Sequence, residues 1–355
     1  MNPERKNLIL ATLSIVALAI ASVSATLVLL PKSDTITLPA ARPVDVQNIA
    51  RSPVAPSLAQ YHPAPFTTPR NITITLETRE VVAEIDAGET YRYWTFNGTV
   101  PGPLIRVVLN DTLEVRIVNP TSSQTHHSID LHAVIGPGGG ANFTQFTAPG
   151  ATTSFKFKAL REGLYVYHCA TPLVDHHIAN GMYGMILVEP IGGLQAIDPA
   201  AREFYVMQGD FYSTGAMGTN GHHDFDSKEI LTANPDYVVF NGKVGALTGS
   251  GTLTANVGEK VRIFFGVGGP NLVSSFHIIG EIFDTVHPEG SLGIDFTNVQ
   301  TTMVPAGGST IVEFTPYVIG TYLLVDHSLT RAIQKGAAGE FKVSGPSAPD
   351  VYGFD

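Results

Sequence analysis

At 355 residues, with 15% charged residues and a formal net charge of −10, the chain is long enough for about two domains. It has no basic excess to draw it onto phosphate backbones, which excludes nucleic-acid binding as a function. A single cysteine rules out an intramolecular disulfide and leaves the redox compartment unread.

Location is therefore read from the N-terminus. Arg5 and Lys6 precede an uncharged stretch from Asn7 to Leu30, long enough to cross a hydrocarbon core of about 30 Å as a helix. Val23-Ser24-Ala25 also offers the small residues of a cleavage site. Residues 1–30 read as a signal-anchor in preference to a cleaved signal peptide. On either reading the positive flank stays cytoplasmic and the rest is exported, to the periplasm or the extracytoplasmic face of a membrane. Residues 31–65, rich in Pro, Ala, Ser and Thr, read as a tether.

Past Thr68 the apolar residues alternate: Ile72, Ile74 and Leu76, then Leu113, Val115 and Ile117, then Phe155 and Phe157. Period-two runs bounded by Gly, Pro and Asn predict strands. Long amphipathic helical stretches are hard to find, so the class is all-β, with tandem Greek-key sandwiches. The second half repeats the first. NGTVPGP at 97–103 is echoed by NGKVGAL at 241–247, NDTLEVRIVN at 110–119 by VGEKVRIFFG at 257–266, and TAPGATTSFKF at 147–157 by MVPAGGSTIVEF at 303–314. The domains fall at 66–192 and 193–345, with a boundary near Pro190 to Pro199 and a tail at 346–355.

The first copy ends its late strand on YVYHCATPLVDHHIANGM, residues 165–182. Cys169, His177 and Met182 follow one another there with C-x7-H-x4-M spacing. A thiolate, imidazoles and a weak axial thioether suit copper in an electron-transfer site. A lone cysteine is otherwise a small buried hydrophobe, so the second imidazole decides the matter. HHSIDLH at 126–132 supplies it. Because strand residues alternate faces, His127 serves the thiolate site and His132 a different metal. The same alternation turns His168 away from Cys169, so one peptide bond links two metals.

The repeat is most informative where it fails, since the second copy ends its late strand on His327-Ser328. That domain keeps an imidazole and has no thiolate. His132, His168 and His327 thus make an all-imidazole set suited to copper or zinc, within one chain or between subunits. Asp130, and His277 in SSFHIIG, are candidates for proton transfer; in isolation they read as an edge carboxylate and a core histidine. His176 neighbours His177 and is the weaker ligand on spacing to Met182.

With these residues in view, the chain from about Thr68 to Val343 resembles a copper-containing nitrite reductase built of two cupredoxin domains. The resemblance is closest to the Neisseria-type outer-membrane branch, through NGTVPGPLIRV, HIANGMYGMILVEP, YVVFNG, GGPNLVSSFHIIGEIFD, VPAGGSTIVEF, and LVDHS followed by KGAAG. It implies a type 1 copper on His127, Cys169, His177 and Met182, and a type 2 copper on His132, His168 and a neighbouring subunit's His327. It also implies catalytic roles for Asp130, His277 and the crowding Ile279, a homotrimer, nitrite as substrate, and a cupredoxin or c-type cytochrome as electron donor. Two departures stand out: His176 replaces an apolar residue, and the lipid-anchoring cysteine is absent, leaving the N-terminal helix as the membrane link. A multicopper oxidase would need His-x-His pairs, and none occurs. A single-copper electron carrier with a vestigial second site would need only the thiolate set.

Overall fold

The computed structural model describes residues 48–54 and 68–353. The anchor read at 1–30, most of the tether and Phe354-Asp355 lie outside them. No helix among the described residues is long and apolar enough to cross a membrane.

Strands up to Tyr183–Glu189 build one pair of sheets, joined at its edge by Gly221–His223, and the remaining strands from Arg202–Phe211 onward build another. In the first pair, Asn71–Asp86 runs parallel to Thr112–Val118 along its first half and antiparallel to Glu89–Phe96 along its second. Thr152–Lys158 then pairs antiparallel with Thr112–Val118. The facing sheet has Ile105–Val108, Tyr183–Glu189, Gly163–His168 and Asp130–Leu131 in that order. The second pair repeats this plan. Arg202–Phe211 runs parallel to Val261–Gly269, which pairs antiparallel with Ser309–Phe314. Leu253–Asn256, Ala338–Ser344, Gly320–Asp326 and Ser274–Ile279 line up across the facing sheet.

The repeated Asn-Gly turns match atom for atom. Asn97 and Asn241 adopt φ of 58° and 48°, and Gly98 and Gly242 follow at 76° and 90°, values that Asn and Gly tolerate best. In the first turn, the Asn97 N–H donates to Glu77 O at 2.7 Å and its Oδ1 accepts the Glu77 N–H at 2.8 Å. In the second, Asn241 makes the same pair of bonds with Met207, each at 2.9 Å.

Each sandwich has its own interior. Leu76, Leu113, Val115, Ile117 and Phe155 fill the first, and Phe265, Phe276, Phe283, Phe314 and Phe341 the second. A third core lies between the sandwiches, where Tyr91, Tyr93, Tyr183 and Met185 meet Tyr205, Met207, Phe211 and Phe264. Beside it a buried ion network joins the halves. Arg106 binds Glu189 and Glu203 at 2.6 and 2.5 Å, and Arg262 binds Glu203 and Glu313 at 3.0 and 2.5 Å. Within the stretch read as a tether, residues 48–54 dock on both halves. Ala50 bridges Val100, Val54 bridges Phe204, and Ile49 is fully buried in the shared core.

Candidate metal centres

The strand Gly163–His168 delivers Cys169 at its end. The chain then loops through the short helix Val174–Ala179, which carries His177, and returns at Met182 to begin Tyr183–Glu189. Backbone bonds hold this return: the Cys169 N–H donates to Met182 O at 3.1 Å and the Met182 N–H to His177 O at 3.2 Å. His177 Nδ1 lies 3.3 Å from Cys169 Sγ. His127 joins them from the facing segment, and the ligand atoms of His127, Cys169 and His177 all lie within 4.8 Å of one another. Cys169, Met182, His127 and His177 are all buried, and neither ring nitrogen of His127 has a hydrogen-bond partner. Buried polar atoms are normally satisfied. An orphaned imidazole beside a buried thiol, a second imidazole and a thioether is the donor set of a copper site. His176, the weaker alternative, turns its half-buried ring onto Phe225, with centroids 4.8 Å apart.

Electrostatics prepare the sulfur. Burial alone would raise the Cys169 thiol, but His127 and His177 overcome it and hold it well below its ordinary value, which favours the thiolate that binds metal. Burial likewise lowers His127, and the thiolate and Glu80 outweigh it. Ser128 was not singled out from the sequence, yet its N–H donates to Cys169 Sγ at 3.4 Å. Its hydroxyl accepts from the Ala170 N–H at 3.0 Å and from Thr171 Oγ1 at 3.2 Å, so the loop after the cysteine is tied to the segment carrying His127.

On the other face, His132 and His168 bring their Nε2 atoms within 3.2 Å of each other. His168 is tied back through its other nitrogen, Nδ1 donating to Cys169 O at 2.9 Å, while the His132 ring lies against Gly307. Ligand histidines are oriented in this way, one nitrogen on a carbonyl and the other free for metal. Burial and the neighbouring His168 push His132 down, with Asp130 and Gly307 opposing, so it favours the neutral, ligating form. Asp130 stands opposite His168 in register and completes a group with both histidines within 4.8 Å. The two centres are joined by the His168–Cys169 peptide, as strand alternation predicts.

The second sandwich presents His277, Ile279 and His327 together. Ser274–Ile279 and Gly320–Asp326 are antiparallel neighbours with His277 opposite Val325, and the His277 and His327 rings lie 5.3 Å apart. His277 Nδ1 donates to Gln300 O at 2.5 Å. Ile279 is 44% exposed beside them. The loop bearing His327 is clamped by buried Asp326, which accepts the Ser275 and Ser328 N–H groups at 3.1 and 3.0 Å and pairs with Arg331 at 2.7 Å. Among the described residues, no metal-holding group within the chain unites His327 with His132 and His168.

Two packed Greek-key sandwiches with a buried His-Cys-His-Met set, joined through one peptide to an imidazole set, define a tandem cupredoxin oxidoreductase. A multicopper oxidase family model matches residues 77–192. A copper-containing nitrite reductase from Neisseria meningitidis serogroup A is 54% identical over 80% of this chain and 72% of its own length. That from Alcaligenes faecalis is 37% identical over 79% and 77%. The solved copper nitrite reductase from Nitrosomonas europaea matches with a TM-score of 0.67 and 32% identity, over 79% of this chain and 96% of that one. The chain belongs to the copper-containing nitrite reductase family.

Proposed function

We propose that this chain reduces nitrite by one electron and two protons to nitric oxide and water. The observation that carries this reading is the placement of Asp130, His132 and His168 as one group directly behind Cys169. Copper bound by the thiolate set would accept single electrons, and copper bound by the imidazole set would act as Lewis acid and electron source toward nitrite.

The chain's own residues do the rest. Cys169 and His168 provide the covalent path between the centres. Asp130 holds a hydrogen bond to a nitrite oxygen and delivers the first proton there. His277, with Nδ1 committed to Gln300 O, has Nε2 left to relay the second. Ile279 narrows the space above the imidazoles and so restricts how a small anion can lie. His327 serves a neighbouring subunit's His132 and His168 in a homotrimer; the apolar surface of Ile279, Met303, Leu323, Leu329 and Ile333 around it supports that assembly, since monomers rarely leave such patches open. The electron donor is a cupredoxin or a c-type cytochrome. Export to the periplasmic or extracytoplasmic face, with residues 7–30 as the membrane anchor, completes the proposal.

The test is Asp130→Asn in the copper-loaded chain. Both copper signals are expected to persist in the electron paramagnetic resonance spectrum while nitrite turnover falls by about 100-fold, the usual scale of a lost proton donor. Turnover at the parent rate would remove Asp130 from the chemistry.

A further inference from the structure

The antiparallel register of Asn71–Asp86 with Glu89–Phe96 sets Glu80 opposite Trp94. Directly opposed residues project from the same face, and this face covers the thiolate centre. The Trp94 ring lies 4.7 Å from the His177 ring and 5.7 Å from that of His127. Glu80 Oε1 stands 3.8 Å from His127 Nε2, with 9% of the Glu80 side chain and 1% of the His127 side chain exposed. The carboxylate is itself held in place, because Oε1 accepts the Ser123 hydroxyl at 2.9 Å and the Gln124 N–H at 2.8 Å. With Nε2 turned to Glu80, Nδ1 is the His127 nitrogen left for a metal shared with Cys169 and His177.

We infer that Glu80 is a positioning residue of the thiolate centre: its carboxylate, 3.8 Å from Nε2 of His127, favours the proton on Nε2 by charge, leaves Nδ1 as the ligand nitrogen and lowers the reduction potential of the copper held there. A carboxylate partner raises the basicity of a ligating imidazole and restricts its rotation. A fixed negative charge also favours the more highly charged, oxidised metal. Trp94 shields the other flank, and the charge acts strongly because water is kept out and the local dielectric is low. The inference rests on the reading of this set as a copper site.

The test is a redox titration of the copper-loaded full chain, followed by its thiolate-to-copper absorption, which does not depend on nitrite turnover. Glu80→Gln keeps the side-chain length and the acceptor for Ser123 and Gln124 while removing the charge, and the potential is expected to rise. Ser123→Ala removes a donor that competes with His127 for the carboxylate, and the potential is expected to fall. Opposite shifts in the two variants would not arise from loosened packing alone. Unchanged potentials in both, with the absorption band intact, would overturn the inference. If Glu80→Gln lost the band, Ser123→Ala would decide by itself. A parent chain without the band would fail the copper reading and this inference together, whereas a band without nitrite turnover would fail only the proposed reaction.

Discussion

Asp130 has its carboxyl cradled by the loop Pro137–Gly140, and that cradle depends on glycine. Gly138, Gly139 and Gly140 adopt φ of 71°, 55° and 110°. A Cβ on Gly139 would lie 1.7 Å from Asp130 Oδ1, and the left-handed backbone adds about 1–2 kcal/mol for any other residue. Gly139→Ala should therefore displace the Asp130 carboxyl, and nitrite turnover should fall by about tenfold or more, equivalent to about 1.4 kcal/mol in the barrier. The thiolate absorption should be unchanged, because a Cβ on Gly139 would meet Asp130 and the Leu131 carbonyl and no ligand of the thiolate set; a parallel loss of that band would mean that the damage is general. Residues of this kind explain what the sequence could and could not disclose. Asp130, His127 and Cys169 stand in dense motifs whose strand alternation sorts them by face. Ser128 lies inside one of those motifs, yet its hydroxyl network is visible only once Ala170 and Thr171 are folded against it. Glu80 and Trp94 sit on a hairpin 47 and 33 residues before His127, with no pattern linking them to copper until the register is known.

The elements were legible in proportion to how unequal their two faces are. Thr112–Val118 buries Leu113, Val115 and Ile117 and turns its intervening residues outward, so period two appears plainly. Val261–Gly269 and Tyr183–Glu189 are buried along their whole length, because each lies between a sandwich interior and the core shared by both sandwiches. Alternation disappears there, and only the repeat identifies Val261–Gly269 as the counterpart of Thr112–Val118. The counterpart of the Cys169 corner is the turn from Gly320–Asp326 into the helix Leu329–Lys335, where Asp326 replaces metal ligation with hydrogen bonds to Ser275, Ser328 and Arg331. Asp326→Ala would take the carboxylate from part-exposed Arg331 and leave the buried Gln208 amide and two backbone N–H groups without their acceptor, a loss of about 1–3 kcal/mol. Thermal unfolding should move down accordingly. Because the turn carries His327, the imidazole-type copper signal should weaken in the folded variant while the thiolate-type signal holds; equal loss of both would mean that the turn does not serve the second centre.

At the scale of the whole molecule, the sandwiches are joined by a tyrosine-rich core and by buried Arg106 and Arg262, and neither feature has a sequence signature, since isolated Tyr and Arg residues fit many settings. That rigid joint matters for function because it fixes where His327 is presented relative to His132 and His168. Within the chain these three histidines do not form a metal-holding group, yet each set is oriented by hydrogen bonds and partly open to solvent. A cyclic trimer would unite them head to tail, with every site using one chain's first sandwich and the next chain's second. This arrangement predicts complementation. Chains carrying His132→Ala lack the first-sandwich half of the site but keep a sound His327, and chains carrying His327→Ala have the reverse defect. Each should be inactive alone. In any mixed ring of three, one junction of three pairs two sound halves, and random mixing makes about three-quarters of rings mixed, so roughly a quarter of the parent activity should return on co-assembly. Nitrite turnover measured on the co-expressed pair checks this. Activity that stayed at the level of the separate variants would place the whole site within one chain, and the apolar surface around His327 would then need a different partner.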